Sequence, residues 1–305
     1  MMNTTSKQTT VRGTFRLKTV ILTLAVLLVA LAGFVLLMNS SKSSIPNVTL
    51  PVPNGYVEIV KAGGLITGSV PTDPEQFRSF IATNQEALRL LRQGLSHQSR
   101  VPIEYTQTYI TTHLPELSNL KRLAQTLKLE GTIAESDGRF GDATKSYLDT
   151  MRLGHVAGHG GLLIDSLVGL ACESIGLTPL RALTSKLEAK PCLDLIQVLE
   201  QLDLQRDSVQ ETLRIEKTWG QRAYGWRSLM LTIFGRNSMR PAQQKFEQKV
   251  QTHQTTLREF LIELASRAYE LEQGRRPNAL ADLTPKYLKS IPLDPSTGTP
   301  MNYRP

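Results

Sequence analysis

The chain has 305 residues, 40% of them hydrophobic, with two cysteines and a formal charge of +8 at pH 7. There is no CxxC pair and no zinc-ligand spacing, which excludes a cysteine-built metal site. A Walker A loop, a GxGxxG turn, a GxSxG elbow and the kinase signatures are also missing, so nucleotide binding and the common hydrolase chemistries have no motif to rest on.

The first eighteen residues carry Lys7, Arg12, Arg16 and Lys18 and no acid. The uncharged stretch Val20–Met38 follows. An apolar helix of about 19 residues matches the roughly 30 Å hydrocarbon core of a bilayer. The basic flank should stay cytoplasmic, so the expectation is a single-pass anchor with its N-terminus inside the cytoplasmic membrane and the bulk outside. A cleaved signal peptide is the competitor, with Ala30-Leu31-Ala32 in the form of its cleavage site, but the apolar run continues through Gly33-Phe34 to Met38. Phe34 stands where a lipobox needs Cys, and no glutamate opens the stretch as in a prepilin. Nucleic acid is not an expected partner in that compartment.

The expected organisation is a cytoplasmic tail over 1–18, an anchor over 19–39, and a linker with one short helix over 40–72. A helical domain over 73–274 and a Pro-rich tail over 275–305 that packs on the helices complete it. The fold class is mainly α, a helical bundle or short repeat-like superhelix that ends in a small turn or hairpin.

Asn54 reads as an N-cap for a helix to Lys61, stopped by Gly63-Gly64, although Val57, Ile59 and Val60 leave a strand open. Thr72-Asp73-Pro74-Glu75 opens a stronger helix that runs to about Gly94. From Pro115 to Lys190 consecutive helices are expected, with breaks near Asp137-Gly138-Arg139, His159-Gly160-Gly161 and Thr178-Pro179. One helix should run from Pro191 to Lys217, and a long one from Pro241 to Gly274 with Val250, Leu257, Leu261, Leu264, Ala268 and Leu271 on one face.

Cys172 and Cys192 lie in a compartment that permits disulfides, where a loop of about 21 residues would contribute roughly 3 kcal/mol. Two buried free thiols are the alternative. His155 and His159, at i and i+4, share a helix face and could share a zinc ion, with a third ligand from Asp165, Glu130 or Glu173. Val156 occupies the position of a protease general base, so structural histidines beside a glycine-rich break are the other reading. Gly154, Gly158, Gly160, Gly161, Gly169 and Gly176 suggest close helix packing or a hinge, since each glycine costs a helix about 1 kcal/mol relative to Ala. No cofactor is expected.

The span Arg214–Lys249 carries a net +6 together with Trp219, Tyr224, Trp226 and the run Leu229–Phe234. It suits a helix at a membrane interface, or a core-facing helix with solvated basic heads. Partner or membrane contacts are expected at Tyr147, Trp219, Trp226, Tyr287 and Tyr303. In the tail, Asp294-Pro295-Ser296-Thr297-Gly298 is a turn that joins Ile291–Leu293 to Met301–Tyr303.

Two segments resemble known families. Leu127, Gly131, Gly138, Ala143 and Tyr147 fall at the spacing of a tetratricopeptide repeat, which implies a single helical hairpin whose small residues admit Tyr147. The tail, from Leu271 and Gly274 through Pro277, Tyr287-Leu288 and Asp294-Pro295 to Tyr303, resembles the major pseudopilin of type II secretion. Taken whole, the chain is similar to uncharacterised bacterial membrane-anchored helical proteins. The leading functional expectation is a non-enzymatic scaffold that holds another envelope protein, in an unknown oligomeric state. A metal-dependent hydrolase at His155/His159 and a component of a pseudopilin-like assembly are the alternatives.

Overall fold

In the computed structural model, nine α-helices account for most of the described residues, which are 49–225, 236–302 and Val26, Leu28, Val29 and Gly33. They are α1 (Gly55–Leu65), α2 (Phe77–Thr83), α3 (Gln85–Leu95), α4 (Tyr109–Ser136) and α5 (Phe140–Gly158), followed by α6 (Leu163–Leu183), α7 (Ala189–Leu204), α8 (Val209–Tyr224) and α9 (Arg236–Gln273). No strand occurs among the described residues; one antiparallel bridge joins Leu293 and Pro300 in the tail. The chain divides into two units, Met1–Val48 and Thr49–Pro305. The expected span Val20–Met38 lies almost entirely outside the described residues.

Local chemistry sets the helix ends. The Asn54 carboxamide accepts the Tyr56 N–H at 3.2 Å and exchanges two bonds with the Arg100 backbone, at 2.8 and 3.1 Å. One side chain therefore caps α1 and pins the loop after α3. Asp73 caps the 3-10 turn that leads into α2, with Pro74 at its first position. The single helix expected over 77–94 is split at Asn84. This buried carboxamide bonds both the N–H and the C=O of Thr67 and also Phe80 O, and so ties the α1–α2 connection into the core.

Two hydrophobic cores flank the α5–α6 pair. One gathers Tyr56 and Ile59 of α1, Leu88 and Leu91 of α3, Leu120 and Leu123 of α4, and Leu153 of α5. The other joins Tyr147 and Met151 of α5, Leu180 of α6, Leu199 of α7, Phe260 and Leu264 of α9, and Tyr287 of the tail. Each fully buried large side chain contributes about 1.5–3 kcal/mol. α1 is thus part of the compact unit that begins at Thr49, whereas the sequence reading placed it on a linker outside the helical domain.

Glycines allow α5 and α6 to touch backbone to backbone. A Cβ at Gly154 would lie 2.5 Å from Gly169 O, and one at Gly169 would lie 2.5 Å from Gly154 O. A Cβ at Gly131 would meet the Tyr147 ring at 2.4 Å, so the ring occupies the space that a larger residue would take. The break expected at Thr178-Pro179 does not occur. Proline removes one donor from the helix, yet Leu177, Leu180 and Leu183 are buried on both sides of it and hold α6 straight through. Conversely, the helix expected over Pro191–Lys217 is two helices, with a loop at 205–208 between α7 and α8.

Cys172 and Cys192 are free, buried and in different cores. No disulfide joins them. Burial pushes their thiols up to about 12 and about 11, so both stay protonated.

Candidate functional site

The end of α5, the following turn and the 205–208 loop converge around His155 and His159. Their rings stack at 5.8 Å, with planes 11° apart, as expected for i and i+4 on one face. His159 Nδ1 lies 3.2 Å from Asp207, whose other carboxylate oxygen accepts the Gly160 N–H at 2.5 Å. Burial alone would raise the Asp207 pKa; the close His159 ring and the Gly160 hydrogen bond outweigh it and hold the carboxyl below its ordinary range. The His155 side chain makes no hydrogen bond among the described residues, and burial lowers its pKa, so it is a neutral imidazole near pH 7.

Behind this pair, Glu173 of α6 is 2% exposed and receives Arg206 through two hydrogen bonds, at 3.1 and 2.5 Å. It also bonds His253 Nε2 of α9 at 2.6 Å. Burial opposes its charge, but the Arg206 charge and these bonds keep Glu173 ionised well below the usual carboxylate range. A cavity of ≈ 40 Å³ lies between Glu173, Arg206, the two histidines and Gly154, Gly158 and Gly169.

The three carboxylates expected as a third metal ligand go elsewhere. Glu173 serves Arg206 and His253; Glu130 serves Arg92 and Ser146. Asp165 bonds His113 Nε2 at 2.6 Å and the Leu162 N–H at 2.7 Å, capping α6. Among the described residues, no three His, Cys, Asp or Glu side chains are grouped to hold a metal ion.

His113 forms a second buried centre. It contacts Glu116 at 2.8 Å through Nδ1 and stacks on Tyr109 at 4.8 Å. Burial lowers its pKa, but Asp165 and Glu116 outweigh this and raise it above the ordinary value. The hydroxyls of Tyr56 and Tyr109 have no hydrogen-bond partner among the described residues.

Three expected contact residues are interior. Tyr147 is 1% exposed between Gly131 and Gly176, and Tyr287 is 5% exposed and donates to Glu272. Trp219, 6% exposed, donates Nε1–H to Glu104 O at 3.0 Å and packs edge-on against Tyr224. An aromatic ring is large enough that filling a gap between helices stabilises more than exposure to a partner or lipid. Trp226, Tyr303 and the run Leu229–Phe234 lie outside the described residues.

Arg206, Asp207, His253 and His113 went unnoticed in the sequence. Ser208-Val209-Gln210-Glu211 has the form of a capping box, and Ser208 Oγ does accept the Glu211 N–H at 3.1 Å. Reading it would have ended α7 earlier and left Arg206 and Asp207 in a loop. His253 follows Val250 by three and precedes Leu257 by four, which places it on the buried face of α9.

Comparison with family models, with curated proteins and with solved structures finds no match.

Proposed function

We propose that this is a membrane-tethered, non-enzymatic helical scaffold, outside the cytoplasm, that holds an acidic amphipathic helix of an envelope partner between α6 and α9. Support comes from the groove of ≈ 860 Å³ that separates these two helices. Its floor is the apolar line Leu167, Leu170, Ala171 and Leu177 of α6. The segment Leu163–Lys186 is long and apolar enough to span a membrane by length and composition, yet only 39% of its most apolar window is buried in the body. The exposed positions of α6, Ala171, Ser174, Thr178 and Ala182, are small and line the groove, which leaves room for a covering helix.

Charge selects the occupant. Lys245 and Lys249 stand on the groove wall one helical turn apart, and neither forms an ion pair among the described residues. Like charges at i and i+4 repel, so carboxylates on an incoming helix would relieve them while its apolar face covers α6. The tether rests on Val20–Met38, and protease added to intact spheroplasts should digest the helical body.

A photo-crosslinking residue placed at Ala171 tests the docking site. It should trap one envelope protein, whose purified acidic helix then binds the full chain in detergent. Lys245→Glu with Lys249→Glu should weaken that binding about tenfold or more, and charge reversal in the partner helix should restore it. Equal trapping from Glu188, at the start of α7, or binding indifferent to both lysines would overturn the reading.

A further inference from the structure

A second cleft opens on the other side of His155 and His159, bounded by the loop after α3, by α5 and by α7. Its volume is ≈ 910 Å³, within the range of small-ligand sites. Two arginines, Arg100 and Arg152, and three histidines line it, and no Asp or Glu does.

Arg100 is built into place. Its backbone is clamped by Asn54, and its side chain lies flat against Gly160, where φ is +70°. A Cβ at Gly160 would come within 2.7 Å of Arg100 Cγ, Nε and Cζ, so only glycine leaves room for the guanidinium. Among the described residues that guanidinium makes no hydrogen bond or ion pair; it feels Asp207 and Glu211 only at longer range. Among the described residues Arg152 has one ion-pair partner, Asp149 at 3.5 Å, and Asp149 is already bonded to Arg92 at 3.0 Å. Two fork-shaped donors with spare capacity therefore share a cleft with the neutral imidazole of His155. Gln197 and Gln201 of α7 and Gln205, which caps its end, recur every four residues and add amide donors and acceptors to the same cleft.

We propose that this cleft binds a phosphate-bearing polar molecule, with Arg100 and Arg152 on the phosphate oxygens and the α7 glutamines on neighbouring hydroxyl or amide groups. Guanidinium forks match phosphate oxygens in pairs, which a lysine cannot do. A phosphate monoester offers three free oxygens to the two forks, where a carboxylate offers two. The nearby acids, Asp207, Asp149 and Glu58, are each committed to a histidine or arginine, and none lines the cleft.

Titration calorimetry on the full chain in detergent, with inorganic pyrophosphate and glycerol 3-phosphate as probes at 150 mM chloride, tests this. A parallel arm uses nanodiscs with and without phosphatidylglycerol. Saturable binding of a soluble probe assigns a free phosphate compound, and binding confined to the anionic nanodisc assigns a lipid headgroup. Either supports the proposal if Arg100→Gln and Arg152→Gln each weaken it about tenfold or more, the usual scale for one charged hydrogen-bonding group, while Lys128→Gln, at an exposed position of α4, has no effect. If an arginine variant fails to fold, Gln201→Glu, on the exposed face of α7, should abolish binding by placing a carboxylate opposite the forks. Absence of binding in both arms, or binding indifferent to these cleft substitutions, would overturn it.

Discussion

His113 and His155 respond to pH with opposite sign, and the contrast isolates what each neighbourhood does. Folding raises the pKa of His113 because Asp165 and Glu116 outweigh burial. Its stabilisation is thus fully present below about pH 6.5 and is lost as pH rises through the raised value. Folding lowers the pKa of His155, so the cost of keeping it neutral emerges as pH falls below about 6.5. Urea midpoints for the parent and for His113→Gln should therefore differ more at pH 6 than at pH 9. Asp165→Asn should cost about 3–5 kcal/mol, because it leaves a buried imidazolium with only the more exposed Glu116 as counter-charge. An unchanged gap between the two pH values would show that the His113 charge does not contribute.

At the scale of elements, the α5–α6 contact depends on positions that admit no side chain. Gly169→Ala places a methyl 2.5 Å from a carbonyl oxygen that cannot rotate away, so the helices must separate. A loss of roughly 1–3 kcal/mol is expected, as for overpacked cores. Gly141, near the start of α5, meets nothing within 4 Å, and Gly141→Ala should instead stabilise by about 0.5–1 kcal/mol through helix propensity. Paired denaturation curves decide this; equal shifts for the two would remove the close-approach explanation. Helix boundaries obeyed the same hierarchy. Asn54, Pro74 and Gly274 marked ends correctly because their effect is confined to one turn. Pro179 did not end α6, since core contacts on both of its flanks exceed the loss of one hydrogen bond.

Across the whole unit Thr49–Pro305, two cores separated by the α5–α6 pair explain why its two cysteines never meet. A thiol reagent should modify neither Cys172 nor Cys192 in the native protein, and two thiols per chain should appear in denaturant. Fewer than two would reveal a bridge between the cores. Much of this architecture was readable in one dimension. Apolar residues at helical spacing predict the helices of both cores, and Asp294 and Gly298 predict the tail turn, in which Asp294 accepts the Ser296 N–H at 2.7 Å and Gly298 has φ +71°. That His155 and His159 share a helix face was legible for the same reason: their relation is local, one helical turn apart, and the structure stacks their rings. Their surroundings were not. Glu173 meets His253 across 80 positions of sequence, Asp165 meets His113 across 52, and the groove between α6 and α9 exists only once distant helices are docked. Periodicity and capping act within a turn or two, so they can be read along the chain. Charge pairing, shared cores and clefts depend on which turns become neighbours in space, and only tertiary packing decides that.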